Sequence, residues 1–395
     1  MRPTVHSLGH DDNRQGCSGV HQVKIAFAGV VLLSNVEASI LDASILADRD
    51  RWNTIGGSID VYYTAEYARV FADVEGGRGY AYLAEDAAGN RVLYPFVRRD
   101  LARLEHIGED GQGLYDITTP YGYGGPAYIG HDSRRDEMMR EFRCSFSKYC
   151  AGEGIVSEFI RYHPLIRNHL YDSANVDTSV IRTTIVMRPT MDEQTAMSQL
   201  PSKTRNMVRR AVSEGATVRF TLSPTGEELQ TFVRLYTETM NRRNAEEYYL
   251  FSIDVIRRMF RSMSGSIALF NAHATDGSPV SSAIILHGGD FIHYHLSGSD
   301  PARMPPGTNN LLLVRAAVWG ASVGATEFHL GGGYSEGDSL FKFKASMSSE
   351  RREFAIGRVI HDLANYSRLA MVAADRLGPA SASAQGFFPA YRAGR

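Results

Sequence analysis

The stretch from Ser266 to Ser299, "SIALFNAHATDGSPVSSAIILHGGDFIHYHLSGS", constrains the fold more than any other. Three apolar runs rich in β-branched and aromatic residues are separated by an Asp-Gly and a Gly-Gly-Asp turn. Turns this short join strands that run antiparallel, so the stretch predicts a three-stranded meander. The next segment, "NNLLLVRAAVWGASVGA", has apolar residues at helical spacing and closes on glycine, and "TEFHLGG" is a strand after it. Meander, helix and strand together predict an α+β layer.

A similar order stands earlier in the chain. "DRDRWNTIGGSIDVYYTAEYARVFAD" reads as two short helices, and "GYAYLAEDAAGNRVLYPFVRR" as a hairpin turning at Gly-Asn. The Gly- and Tyr-rich "LYDITTPYGYGGPAY" is followed by a helix near residues 134–152 and the strand "GIVSEFIRYHPL". A helix ending at Gly215, a strand, and helices around 226–241 and 253–263 then lead into the meander. Two successive units of this kind predict an internal duplication, although the residues themselves show no period. We expect an α+β protein of two lobes, 48–188 and 189–354. A C-terminal segment, 355–395, should return to the first lobe, and residues 1–47 should form an extension outside the ordered chain.

Composition bounds the function. With 395 residues, 43% of them hydrophobic, the chain can bury a sizeable core. Its net charge of -2 gives no overall basic field for nucleic acid or anionic lipid, so such binding must rest on local patches. The three cysteines, Cys17, Cys144 and Cys150, form neither a disulfide framework nor a CxxC pair, which points to a reducing, cytoplasmic setting. The longest apolar run, "IAFAGVVLL" from Ile25 to Leu33, falls short of a membrane span and reads as a strand or as part of an over-long start, with a secretory signal as the alternative. There is no Walker A sequence, GxSxG or complete GxGxxG. His287, His293 and His295 cluster in sequence without a carboxylate or cysteine to complete a metal set, so no metal is expected.

"HYHLSGSDPARMPPGTNNLLLVRAAVWGASVGATEFHLGGG", followed by "LFKFKASM", resembles the second half of the Fem-type transferases. These are aminoacyl-tRNA-dependent relatives of the GNAT N-acyltransferases. By element order the resemblance spans Trp52 to Arg392, with its strongest motifs between Tyr294 and Lys344. "TPYGYGGP", "EFIRYHPL" and "FFPAYR" also resemble a bacterial GNAT-like branch of that superfamily. The resemblance implies two GNAT-like lobes, an acyl donor on the second and an amine acceptor on the first. The donor is then a co-substrate, aminoacyl-tRNA, rather than a bound cofactor, and the acceptor carries a peptide, as in a peptidoglycan precursor or a peptide natural product. An acyl-CoA-dependent N-acyltransferase and a non-catalytic binding protein of the same fold stay open beside it.

Lys344 is the leading catalytic candidate, because Phe343-Lys344 matches the Phe-Lys of the Fem pattern, where the lysine lies by the donor carbonyl and suits oxyanion stabilisation. Taken as a strand, "FKFK" turns Lys342 to the opposite face. Gly331, Gly332 and Gly333 before it read either as a surface turn or as a strand end stripped of Cβ atoms for the donor to lie against. Arg303, Asn309 and Asn310 lead into a helix whose N-terminus suits an anion, and Tyr294 completes the donor set. Gly307 alone stands where ordinary GNAT enzymes have a Gly-rich loop. Asp116 is placed either to take the ammonium proton or as an Asx cap.

Acceptor recognition falls to Tyr121, Tyr123, Arg161, His163, Tyr248 and Tyr249, whose rings and charges suit a peptide. Arg161, in an apolar strand, calls for an anionic partner, either a ligand carboxylate or an internal Asp or Glu. Lys203, Arg205, Arg209 and Arg210 share one short helix, which reads as a tRNA-backbone surface or as a solvated face.

Overall fold

The computed structural model describes residues 31–33, 36–172, 175–335, 337–378 and 387–393. The first part of the chain comprises β1 (Val31–Leu33), β2 (Val36–Asp42), α1 (Leu46–Gly56), α2 (Ala65–Ala72), β3 (Arg78–Asp86), β4 (Arg91–Asp100), β5 (Tyr115–Thr118), β6 (Ala127–Ile129), α3 (Asp132–Gly152), β7 (Ile155–Arg161) and β8 (Asp177–Met187). The second comprises α4 (Glu193–Gln199), α5 (Ser202–Ser213), β9 (Thr217–Thr221), α6 (Gly226–Arg242), α7 (Ile253–Ser262), β10 (Ile267–His273), β11 (Pro279–Gly288), β12 (Phe291–Ser299), α8 (Thr308–Ser322), β13 (Glu327–Gly331), α9 (Ser339–Ala345), β14 (Glu350–Ile360) and α10 (Leu363–Leu377).

All these strands join one sheet in the order β1-β2-β3-β4-β5-β7-β14-β8-β13-β12-β11-β10-β9, with β6 on β4. The predicted duplication is visible in the pairing. In the first lobe the antiparallel β3–β4–β5 is followed by the crossover helix α3 and by β7 parallel to β5. In the second, the antiparallel β10–β11–β12 is followed by α8 and by β13 parallel to β12. The lobes then exchange strands. β8 leaves the first lobe to pair with β13, while β14 leaves the second to pair with β7, and β8 and β14 pair with each other at the centre. A boundary drawn at 354/355 therefore cuts through β14.

The lobes also share a core. Trp52, Tyr62 and Phe71 of the first pack in one buried cluster with Phe232, Ile256 and Ile284 of the second. The turn at Gly288 and Gly289 sits against residues 58–61, so closely that a Cβ on Gly288 would meet the Asp60 carbonyl carbon at 2.8 Å. That contact needs glycine, and it brings Asp60 to the second lobe. At the C-terminus, Leu369, Ala373 and Tyr391 pack with Leu101, Ile107 and Val156 of the first lobe.

Two expectations are corrected. The ordered chain starts before Asp48, because β2 pairs along its whole length with β3 and buries Val36, Ala38 and Leu41. Of the apolar run Ile25 to Leu33, residues 25–30 lie outside the described residues, and the rest is β1. The segment around Lys344 is a helix rather than a strand. Asp338 caps it, accepting from the backbone N–H of Phe341 at 2.6 Å, and this start outweighs a period-2 pattern only four residues long.

Candidate active site

The site follows from where β12 and β13 part. Their parallel pairing runs Phe291 to Glu327, Ile292 to Phe328 and His293 to His329, and stops there. Each strand also skips a residue in its register at this level, His295 in β12 against β11 and Leu330 in β13 against β8. Such bulges turn neighbouring side chains to one side of a strand. His293, Tyr294 and His295 consequently line a cleft of about 220 Å³ together with His329 and Gly331 to Gly333. The first lobe contributes Tyr62, Tyr121, Gly122, Tyr123 and Arg161 to the same walls, and Tyr248, Tyr249, Arg182, Lys344 and Phe354 complete them. In the first lobe the corresponding parallel pair does not open: Thr119 N donates to Phe159 O, and Gly124 bridges to Tyr162.

Lys344 lies at the base of the fork. It is 8% exposed, and its Nζ donates to Gly332 O at 2.8 Å and stands 5.9 Å from the centre of the Tyr294 ring. Burial, with a smaller contribution from the Arg243 charge, brings the amine down to about 7. It is therefore a cation that can exchange its proton near neutrality. The three glycines serve the protein's own atoms rather than stripping a surface for a ligand. A Cβ on Gly331, which has φ +74°, would lie 3.1 Å from Lys344 Nζ. One on Gly332 would meet Thr183 O at 2.7 Å, and one on Gly333 would strike the Asp338 carboxylate. Asp338 in turn accepts from the backbone of Tyr334 and Ser335, which fixes the loop between strand and helix.

The other expected residues divide. Tyr123, Tyr248, Tyr249 and Arg161 reach the cleft. The anionic partner of Arg161 is internal: its Nη2 donates to Glu75 Oε1 and to Thr119 O at 2.7 Å, and the Tyr248 hydroxyl donates to the same Glu75 at 2.7 Å. Tyr121 reaches the cleft edge while its carbonyl holds the Tyr67 hydroxyl. Gly122 and Gly125 in this loop have φ of +89° and +84°, and Asn168 pins the loop by donating to Gly124 O and Pro126 O.

Six of the expected catalytic, donor and acceptor residues fall outside the cleft. Asp116 is fully buried between Arg99 and Arg392, with contacts of 2.5–3.0 Å. Although burial alone would raise its carboxyl, these two guanidiniums hold it below the usual range, so it is neither an Asx cap nor a proton acceptor. His163 is 0% exposed and sits behind the cleft wall, not in it. Arg303 clasps the β10–β11 turn through Asp276 at 3.1 Å and Ser278 at 2.6 Å. At the α8 entrance, Asn309 accepts from Ser281, Asn310 donates to Met347 Sδ, and a Cβ on Gly307 would strike the backbone of Met207 in α5. Phe343 packs into the second-lobe core. On α5, Lys203, Arg209 and Arg210 are exposed, whereas Arg205 is drawn onto Leu200 O at the end of α4.

The sequence reading missed Asp60, Glu75, Arg182, His329 and Asp338. Asp60 overturns the expectation that no carboxylate joins the histidines. Asp60, His163 and His293 bring three ligand-type atoms within 4.8 Å of one another. The donor chemistry nevertheless suits protons rather than an ion. His163 Nδ1 accepts from the Ile166 amide at 3.2 Å, so its proton is on Nε2, which donates to Asp60 Oδ2 at 2.9 Å. A metal-bound imidazole keeps that nitrogen bare and donates from the other.

A family model described as an acetyltransferase (GNAT) domain matches residues 202–344. Comparison with curated proteins gave no sequence match. Among solved structures, FemX superposes with a TM-score of 0.64 at 12% identity, covering 82% of this chain and 97% of that one. L-PGS from Bacillus licheniformis does so with a TM-score of 0.51 at 13% identity, covering 80% and 92%. At these identities the likeness is one of fold. Residues 202–344 thus match a GNAT-type acetyltransferase domain, and the chain shares the fold of these two structures.

Proposed function

We propose that this protein forms an amide bond by moving an aminoacyl group from aminoacyl-tRNA to the amine of a peptide-bearing acceptor, a peptidoglycan precursor or a peptide natural product. The observation that carries this reading is Lys344, buried at the base of a fork between β12 and β13 whose walls come from both lobes. An ester carbonyl placed over Gly331 meets an ammonium there, which stabilises the oxyanion formed when an amine attacks. Proximity supplies much of the remaining barrier reduction, and neither a metal nor a bound cofactor is required. The donor is a co-substrate.

Two observations favour tRNA over coenzyme A as the carrier. The single glycine before α8, Gly307, is taken up in packing on Met207 rather than in holding a diphosphate. The exposed Lys203 and Arg209 on that same α5, beside an Arg210 that pairs with Glu214 at 2.6 Å, give a local basic face that the overall charge lacks. Tyr123, Tyr248 and Tyr249 offer the acceptor aromatic faces, and Arg182 offers positive charge. The test is Lys344→Ala in single-turnover transfer from charged total tRNA to pooled muropeptides, with folding checked by circular dichroism. A fall of about 100-fold at unchanged folding supports the reading, and wild-type turnover rejects it.

A further inference from the structure

His293 offers the cleft a second chemistry that Lys344 does not supply. It is 1% exposed, it is one of the residues lining the cleft at the last rung before the strands part, and Nε2 is bonded to Asp60 Oδ2 at 2.7 Å. Its other nitrogen, Nδ1, is buried without a hydrogen-bond partner. The large majority of buried side-chain polar atoms have a partner, so each open one calls for a reason. His295 and His329 also line the cleft with an open Nε2, but neither has a carboxylate behind it, and burial drives His295 down to about 3 and His329 well below the ordinary histidine value. Asp60 separates His293 from these two. It is fully buried, and the two imidazoles outweigh the upward pull of burial, keeping it ionised.

We infer that Asp60 and His293 form a proton-accepting dyad in which His293 is a catalytic residue that deprotonates the acceptor amine and Asp60 is its positioning residue. This rests on the amide-forming reading above, though not on the identity of the donor. An aspartate held on Nε2 fixes the tautomer with its lone pair on Nδ1 and offsets the charge that arises when Nδ1 gains a proton. The amine lone pair forms the C–N bond to the donor carbonyl carbon as the carbonyl pair moves onto oxygen beside Lys344. The nitrogen then loses a proton to His293 Nδ1. Collapse of the oxyanion breaks the bond to the leaving group, which departs with the electron pair and takes the proton from Nδ1, so no net proton is produced. The dyad exists only when the lobes are joined, because Asp60 belongs to the first and His293 to the second. The Gly288–Gly289 contact sets that join.

The experiment uses the full chain and four forms: wild type, His293→Gln, Asp60→Asn and His293→Ala. Transfer is followed from radiolabelled charged total tRNA and, separately, from radiolabelled acetyl-CoA, onto hydroxylamine and onto pooled muropeptides. Rates are taken between about pH 5.5 and 9. His163, His287, His295, His329, Lys344 and the Tyr62 hydroxyl also stand around the site, so the variants are compared limb by limb with wild type. We expect His293→Gln to lose about 100-fold or more with whichever donor wild type uses, at every pH in that range. Asp60→Asn should lose rate while keeping KM, and added imidazole should restore part of the activity of His293→Ala. If His293→Gln stays within about twofold of wild type, or if Asp60→Asn and His293→Ala lose rate only as folded protein is lost and imidazole restores nothing, the dyad is overturned. Transfer from acetyl-CoA alone would remove the tRNA reading and leave the dyad tested with that donor. A wild type inert with both overturns the dyad together with acyl transfer.

Discussion

Lys344→Met should stabilise the protein below neutral pH while abolishing transfer. The Lys344 amine falls from 10.5 to about 7 on folding, chiefly through burial. At 1.36 kcal/mol per pH unit, holding this group in the fold as a cation costs about 5 kcal/mol. The sign follows from proton binding. Between pH 7 and 10.5 the unfolded chain holds this proton and the folded chain does not, so stability rises with pH across that window. Below pH 7 the full cost is present. Methionine fills a similar volume without the charge and gives up the bond to Gly332 O, a loss of about 1.5–3 kcal/mol for a charged donor. The net gain at pH 6 is then about 2–3 kcal/mol. Between pH 7 and 9 the difference from wild type should shrink by about 3 kcal/mol, since two pH units of the wild-type cost disappear. Urea unfolding of both proteins at pH 6, 7, 8 and 9 measures this, and groups titrating alike in both cancel in the difference. A difference that does not change with pH, or a Lys344→Met protein less stable than wild type at pH 6, would refute the reasoning.

Three further outcomes are expected. Gly331→Ala places a methyl 3.1 Å from Lys344 Nζ at a φ of +74°, so unfolding measurements should show a loss of about 1–2 kcal/mol, and transfer should fall about tenfold or more as the amine is displaced. Asp116→Ala leaves Arg99 and Arg392 buried without their carboxylate and should cost about 3–5 kcal/mol in denaturant unfolding, with turnover per folded molecule unchanged. Reversing charge with Lys203→Glu and Arg209→Glu should weaken binding of charged tRNA and flatten its dependence on salt by about one unit of slope per lost phosphate contact, read by filter binding across a salt series.

The second lobe was legible because its signals are local. Asp-Gly and Gly-Gly-Asp turns fix antiparallel neighbours within a few residues, and the capping glycine and helical spacing fix α8. A short motif pointed to Lys344, which lines the cleft, but not to its helix, because Asp338 starts that helix from outside the motif. What stayed hidden depends on the exchange of strands and the meeting of lobes. Asp60 and His293 are 233 residues apart, and the packing of Gly288 and Gly289 on residues 58–61, with the core the lobes share, brings them together. Asp116 looked like an available carboxylate because Arg392, its tightest partner, lies 276 residues away. Arg161 was rightly given an anionic partner by type, yet the choice of Glu75 over a ligand is a fact of tertiary structure. The bulges at His295 and Leu330, which turn three consecutive residues of β12 into one wall, leave no mark in a period-2 pattern.

The central claim is acylation of an amine from aminoacyl-tRNA at the Lys344 cleft. It is tested most directly by donor competition: the purified chain with radiolabelled charged total tRNA in one reaction and radiolabelled acetyl-CoA in another, each with pooled muropeptides, and Lys344→Met run beside wild type. The account predicts label entering peptide from the tRNA in an RNase-sensitive manner and no such label with Lys344→Met. Transfer from acetyl-CoA alone, or equal transfer by Lys344→Met, would contradict it.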